Sequence, residues 1–316
     1  MLELSKPSRE ENQFIGKWDL TKTITEQEMK VAFIGLGVMG YPMAGHVKNS
    51  GMEVCVYNRT TEKAQRWVEE YEGHMALSPA KAAADCDVVL VCVGNDDDVR
   101  QVTTSEDGVL NSMREGSILV DHTTASAALA RELYQKAGKQ GVQFMDAPVS
   151  GGQAGAENGA LTVMIGGDQV TYDSAKPVID SYSKFNKLLG AAGNGQLAKA
   201  ANQICIAGVV EGLAEALNFA MKAGLNGEDL IETISKGAAG SWQMENRYQT
   251  MLSDEYEFGF AVDWMRKDLG IALEEAKRNG VDMPLVNMVD GFYEEVQASG
   301  GGRWDTSSLL ARYTKN

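Results

Sequence analysis

Lys199, Asn202 and Gln203 fall three and four residues apart in one helical pattern, so their side chains share a face. In the first turn of a helix a lysine meets the positive end of the dipole, and burial disfavours its charge in the same direction. A lysine tuned toward neutrality can take or return the proton of a hydroxyl group. Ser150-Gly151-Gly152 offers a hydroxyl and unobstructed backbone N–H groups, which suit a carboxylate. Gly35-Leu36-Gly37-Val38-Met39-Gly40 spells G-x-G-x-x-G. In a dinucleotide site the first glycine allows the tight turn, the second lets the backbone approach a pyrophosphate, and the third lets the helix pack on the strand.

These groups need elements to hold them. Residues 31–34 are apolar and rich in β-branched or aromatic side chains, which predicts a buried parallel strand opening directly onto the glycines. A helical pattern follows to Asn49. Further strands are expected at 52–57, 87–93, 117–121 and 142–146, with helical segments between them. Repeating strand–helix units imply an α/β, doubly wound parallel sheet with right-handed crossovers. Strands at 160–166 and near Lys187 extend it. From Gln196 to Ala223 runs one long helical pattern, apolar on every side at 204–210 and therefore expected to be buried. Only helices follow. The chain thus divides into an N-terminal extension (1–29), a dinucleotide-binding domain (30–191) and an all-helical substrate and dimerisation domain (192–316).

Cofactor choice is read at the end of the second strand, roughly 20 residues past the glycines, where a carboxylate would hold the ribose hydroxyls of NAD. Asn58-Arg59-Thr60 stands there instead. An amide, a guanidinium and a hydroxyl suit a 2′-phosphate, and no carboxylate repels it. NADP(H) is expected in preference to NAD(H).

With 316 residues the chain can build two sizeable cores. Its net charge of -15 argues against nucleic acid or an anionic membrane surface as a partner. No uninterrupted apolar run approaches the roughly 18 residues of a membrane span. Cys55, Cys86, Cys92 and Cys205 lie in apolar patterns without metal-ligand spacing, as reduced core residues of a cytoplasmic protein would. With only three histidines, a histidine-based metal site is not expected.

Four stretches together resemble the β-hydroxyacid dehydrogenases: the glycine fingerprint, Asp146-Ala147-Pro148-Val149-Ser150-Gly151-Gly152, the run Gly190 to Gln203 containing Lys199, and Lys267-Asp268-Leu269. That family includes 3-hydroxyisobutyrate dehydrogenase, tartronate semialdehyde reductase and glyoxylate/succinic semialdehyde reductases. The resemblance implies reversible hydride transfer, with Lys199 as general acid/base and Asn202 orienting a small carboxylate-bearing substrate. It further implies that Val93, Gly94 and Thr123 line the cofactor, that Thr123 also meets the substrate, and that Lys267 closes over both. His122 is a spacer in this scheme. Trp242 departs from the pattern, being bulky where the substrate tail is expected. An imine reductase shares this fold but carries Asp or Tyr where this chain has Lys199, and a non-catalytic NADP sensor could dispense with the lysine. The fully apolar stretch of the long helix further predicts a homodimer or homotetramer.

Overall fold

The computed structural model describes residues 29–314. Of the extension that the sequence sets apart at 1–29, residues 1–28 lie outside the described residues. The strands are β1 (Lys30–Ile34), β2 (Glu53–Tyr57), β3 (His74–Met75), β4 (Val88–Val91), β5 (Ile118–Asp121), β6 (Gln143–Asp146), β7 (Val149–Ser150), β8 (Leu161–Gly167) and β9 (Ser183–Leu188). The helices among and after them are α1 (Gly40–Asn49), α2 (Thr61–Tyr71), α3 (Pro79–Ala83), α4 (Asp96–Thr104), α5 (Ala127–Gly138), α6 (Gly152–Glu157) and α7 (Gln169–Asp180). Then come α8 (Asn194–Lys222), α9 (Gly227–Ile234), α10 (Trp242–Leu252), α11 (Val262–Arg278), α12 (Pro284–Ala298) and α13 (Ala311–Thr314), the last entered through a 3₁₀ turn at Thr306–Leu310.

The sheet runs β3-β2-β1-β4-β5-β6-β8, with β7 and β9 also paired to β8. Strand alternation feeds two cores at once. Val31, Phe33, Val54, Val56, Leu90 and Val120 enter the cluster on one face, and Ala32, Ile34, Val89, Val91 and Leu119 the cluster on the other. From β3 to β6 every pairing is parallel. The doubly wound parallel sheet is present as expected, and its parallel run ends there, because β8 runs antiparallel to β6 and β7. The helix between them, α6, has 6 residues and rises only about 9 Å, too short to carry the chain back along the sheet for a parallel crossover. The two-residue strand β3 has no periodicity for the sequence to reveal.

The helix α8 starts at Asn194, two residues before the sequence reading places it. One face of it is a continuous buried row: Gln196, Lys199, Gln203, Ala207, Val210, Ala214 and Leu217. The row begins polar, beside the sheet, and ends apolar, in a third core with Val262, Met265 and Leu269 of α11 and Val286, Val289 and Tyr293 of α12. Each of these stripes repeats at three and four residues, the spacing of an amphipathic helix face. Within the single chain α8 is not buried all round. Cys205 is exposed, so it is no core residue, and Phe219 is 72% exposed. By length and a mean hydropathy of 1.6 over 18 residues α8 also passes as a membrane span, which the sequence reading missed. Its buried row of Lys199, Gln203 and core side chains marks it instead as the central helix of the helical region.

Candidate active site

The loop after β1 meets the steric demands of the fingerprint. Gly35 has φ +102°, and a Cβ there would overlap the Cys92 carbonyl. A Cβ at Gly40 would overlap the Gly35 carbonyl, so α1 can pack on β1 only with glycine. Gly37 is different. Nothing lies within 4 Å of a Cβ built there. The protein itself does not demand glycine at that place; a pyrophosphate lying against the backbone would, so the loop fits a dinucleotide. Of the remaining loop residues Leu36 is buried, Val38 is exposed and Met39 directly precedes α1.

Asn58 braces this loop. Leu36 N–H donates to Asn58 Oδ1 at 2.9 Å, and Asn58 Nδ2 donates to the Thr60 carbonyl at 3.0 Å. The expectation that Asn58 offers its amide donors to a phosphate is corrected to that extent, since one donor is spent on the turn. Arg59 remains outward, 79% exposed, with Nη1 3.5 Å from Asp98 Oδ1. Thr60 precedes α2 with no cap hydrogen bond from its side chain.

On the other side of β1, Val93 N–H donates to Thr123 Oγ1 at 3.0 Å, tying the ends of β4 and β5 together. Lys267 Nζ, arriving from α11, donates to the Gly94 carbonyl at 3.1 Å and the Thr124 carbonyl at 2.6 Å. Lys267 therefore bolts the helical region onto the C-terminal edge of the sheet, where a doubly wound fold binds its ligand.

Lys199 projects to the same edge. It is buried, and Nζ donates to the Val149 carbonyl at 2.9 Å, next to Ser150. Its residue number within α8 puts it in the second turn, not the first. The dipole fades within the first turn, so it is not the main cause of tuning. Burial pushes the ammonium below its ordinary pKa, the Lys267 charge adds to this, and Asp268 opposes it. Asn202 Nδ2 donates to Gln203 Oε1 at 2.8 Å, and Gln203 Nε2 donates to Asp268 Oδ2 at 2.8 Å. Asp268 Oδ1 in turn lies 3.1 Å from Lys267 Nζ. A single polar chain thus joins Asn202 to Lys267. Gly151 (φ +136°) and Gly152 (φ +61°) turn the backbone between β7 and α6 in a conformation that side chains disfavour.

Sequence reasoning missed two carboxylates. Asp268 was visible as part of a motif but had no role. Asp146, fully buried at the end of β6, accepts from Gly193 N–H at 2.7 Å and Gln196 N–H at 2.8 Å. It caps α8 from a neighbouring strand and so anchors the helix that carries Lys199. Burial raises its pKa to about 6 against the pull of these N–H donors. His122 is structural: Nδ1 lies 2.7 Å from the Ala147 carbonyl, so Nε2 accepts from the Tyr182 hydroxyl at 2.9 Å. Burial lowers its pKa to about 4. Trp242 stands apart from the cluster, half exposed at the start of α10 with the Arg247 guanidinium 4.9 Å from its ring centroid. Among the described residues no group of His, Cys, Asp and Glu is arranged to hold a metal ion.

A glycine turn against an open cradle, and a buried lysine beside a glycine-rich loop at the sheet edge, define a nicotinamide-dependent oxidoreductase. Comparison with known proteins gives the family. Residues 30–206 match the NAD binding domain of 6-phosphogluconate dehydrogenase, and residues 193–313 match the NAD-binding domain of NADP-dependent 3-hydroxyisobutyrate dehydrogenase. The chain is 63% identical over 287 residues to an uncharacterized oxidoreductase of Shewanella frigidimarina, covering 91% of this chain and 99% of the relative. It is 40% identical over 288 residues to a probable 3-hydroxyisobutyrate dehydrogenase-like protein of Arabidopsis thaliana, covering 91% of this chain and 86% of that one. The structure of Mycobacterium tuberculosis 3-hydroxyisobutyrate dehydrogenase with L-serine is similar with a TM-score of 0.81 at 29% identity, over 90% of this chain and 99% of that one. The chain belongs to the β-hydroxyacid dehydrogenase family.

Proposed function

We propose that the protein is an NADP(H)-preferring dehydrogenase of a small β-hydroxyacid, or equally the reductase of the corresponding semialdehyde. The observation that carries this reading is the buried Lys199 amine, 2.9 Å from the Val149 carbonyl and adjoining Ser150-Gly151-Gly152. In the proposed reaction the substrate carboxylate lies on the Ser150 hydroxyl and the N–H groups of Gly151 and Gly152, with Asn202 orienting it. Lys199, neutral, takes the proton of the β-hydroxyl as the hydride leaves the same carbon. Nicotinamide, when bound, supplies the hydride acceptor or donor. Reduction runs the same way backward, with charged Lys199 giving the proton. The turn shaped by Gly35 and Gly40 brings Gly37 against the pyrophosphate, Arg59 and Thr60 hold the 2′-phosphate, and Val93, Gly94, Thr123 and Lys267 surround the nicotinamide end. An amine at position 199 favours this chemistry over imine reduction.

NADPH oxidation against a panel of carboxylate-bearing semialdehydes tests the reading. Turnover with at least one, faster with NADPH than with NADH, is expected. No turnover across the panel overturns the substrate class, and NADH serving at least as well as NADPH overturns the cofactor preference. The outward face of α8, with Cys205, Val209 and Phe219 exposed, supports assembly as a homodimer or homotetramer. Sedimentation showing only monomer at micromolar concentration would remove that part.

A further inference from the structure

In the sheet, β2 and β4 flank β1. Arg59, just past β2, and Asp98, in the first turn of α4 just past β4, therefore reach toward each other across the glycine turn that follows β1. They meet, with Arg59 Nη1 3.5 Å from Asp98 Oδ1. The ion pair spans the ground that the adenosine end of a dinucleotide must enter. The two partners are not equally held. Arg59 is 79% exposed on a flexible stem, whereas Asp98 is 29% exposed. The Asp98 backbone is anchored in its turn by the Asn95 side chain, which accepts its N–H at 2.9 Å. Its Oδ2 lies 2.6 Å from where a Cβ on Gly94 would stand, so the carboxylate is folded down over the end of β4. Arg59 can swing to a phosphate. Asp98 stays.

We propose that Asp98 sets the cofactor specificity of this enzyme, as a fixed counter-charge that competes with the 2′-phosphate of NADP(H) for Arg59. The proposal rests on the reading of Asn58-Arg59-Thr60 as the 2′-phosphate site. An anion arriving at Arg59 must displace a carboxylate that remains nearby and repels it. NADH, with a neutral ribose hydroxyl at that place, meets no such competitor. The carboxylate thus holds down a preference for NADP(H) that Arg59 alone would make steeper, and keeps NAD(H) within reach of the site.

The test is direct binding of NADPH and of NADH, followed by nicotinamide fluorescence or calorimetry, to the wild type, Asp98→Asn, Arg59→Gln and the double variant. The asparagine is isosteric, and NADH binding serves as the internal control for folding. Asp98→Asn should tighten NADPH about two- to fivefold, the scale of a largely exposed ion pair, while NADH stays within measurement error of wild type. The gain should be smaller in the Arg59→Gln background, because the competition needs the arginine. An unchanged NADPH-to-NADH affinity ratio in Asp98→Asn overturns the proposal, as does looser NADPH binding or a gain undiminished without Arg59. A wild type that binds NADH more tightly than NADPH would instead count against the cofactor preference itself. The response of that ratio to Asp98→Asn is read separately.

Discussion

Replacing Asp146 by Asn should cost the enzyme far more turnover than cofactor affinity. The carboxylate holds the start of α8 through Gly193 N–H at 2.7 Å and Gln196 N–H at 2.8 Å, in a wholly buried position. Asparagine keeps one acceptor oxygen and turns an amide donor against the other N–H. Losing one charge-assisted hydrogen bond and stranding a buried donor costs about 2–4 kcal/mol. Alanine would lose both contacts, about 3–6 kcal/mol, much of the stability of an ordinary domain, which makes the asparagine the informative variant. Gln196 lies one turn before Lys199 on the same face of α8. Slack at the helix start displaces the amine from the Val149 carbonyl, and a misplacement of ~1 Å can cost a hundredfold in rate. The variant should therefore show kcat reduced roughly ten- to a hundredfold, a lower urea midpoint, and NADPH affinity within about twofold of wild type. The glycine turn that binds the dinucleotide is built on β1 and Asn58, away from Asp146. A variant with wild-type kcat and wild-type midpoint would refute the claim that this carboxylate positions the catalytic helix.

Two further outcomes follow from the same geometry. Asn58→Asp should shift cofactor preference toward NADH and also loosen the turn between β2 and α2, because a carboxylate still accepts from Leu36 N–H but cannot donate to the Thr60 carbonyl as Asn58 Nδ2 does; kcat/KM with each cofactor measures the first effect and thermal stability the second. His122 should stay neutral down to about pH 4, whereas in the unfolded chain it charges near pH 6.5, so its contribution to stability is full above pH 6.5 and falls as pH drops toward 4. The loss reaches about 3 kcal/mol, and His122→Gln should flatten the urea midpoint over that window. A His122 imidazole, assigned by its loss in His122→Gln, that titrates by NMR between pH 6 and 7 in the folded protein would contradict this.

Much of the fold was legible because it is written in short-range periodicity. The run Val31 to Ile34 and the glycines after it occur as read, and the chemical row of α8 was visible at three- and four-residue spacing. Errors arose where direction or distance decides. The reversal of β8 depends on the length of α6, which a strand pattern does not carry. Lys199 fell one turn later than expected because Gly195 lies inside the helix. A Cβ there would stand 2.5 Å from the Met164 carbonyl, so the glycine serves close packing on β8 and does not mark the helix boundary. Contacts across long separations were hidden altogether: Asn58 meets Leu36 across 22 residues, and Lys267 meets Gly94 across 173. Pairings of that kind are made by topology, and only the folded sheet edge brings them together.

Replacement of Lys199 by Met bears most directly on the central claim, that this buried amine moves the hydroxyl proton. Methionine keeps much of the stem's bulk and removes the acid–base group. Burial, the first cause of the lowered pKa, puts the amine's titration below that of an ordinary lysine, so wild-type oxidation should rise with pH through that value and reduction should fall through it. The measurement is the pH profile of kcat/KM for hydroxyacid oxidation in wild type and Lys199→Met, with NADP affinity read alongside. The variant should lose at least about a hundredfold in rate, lose the alkaline-rising limb, and keep its affinity for the cofactor. A Lys199→Met enzyme that retains most of its activity and the same pH limb would contradict the mechanism.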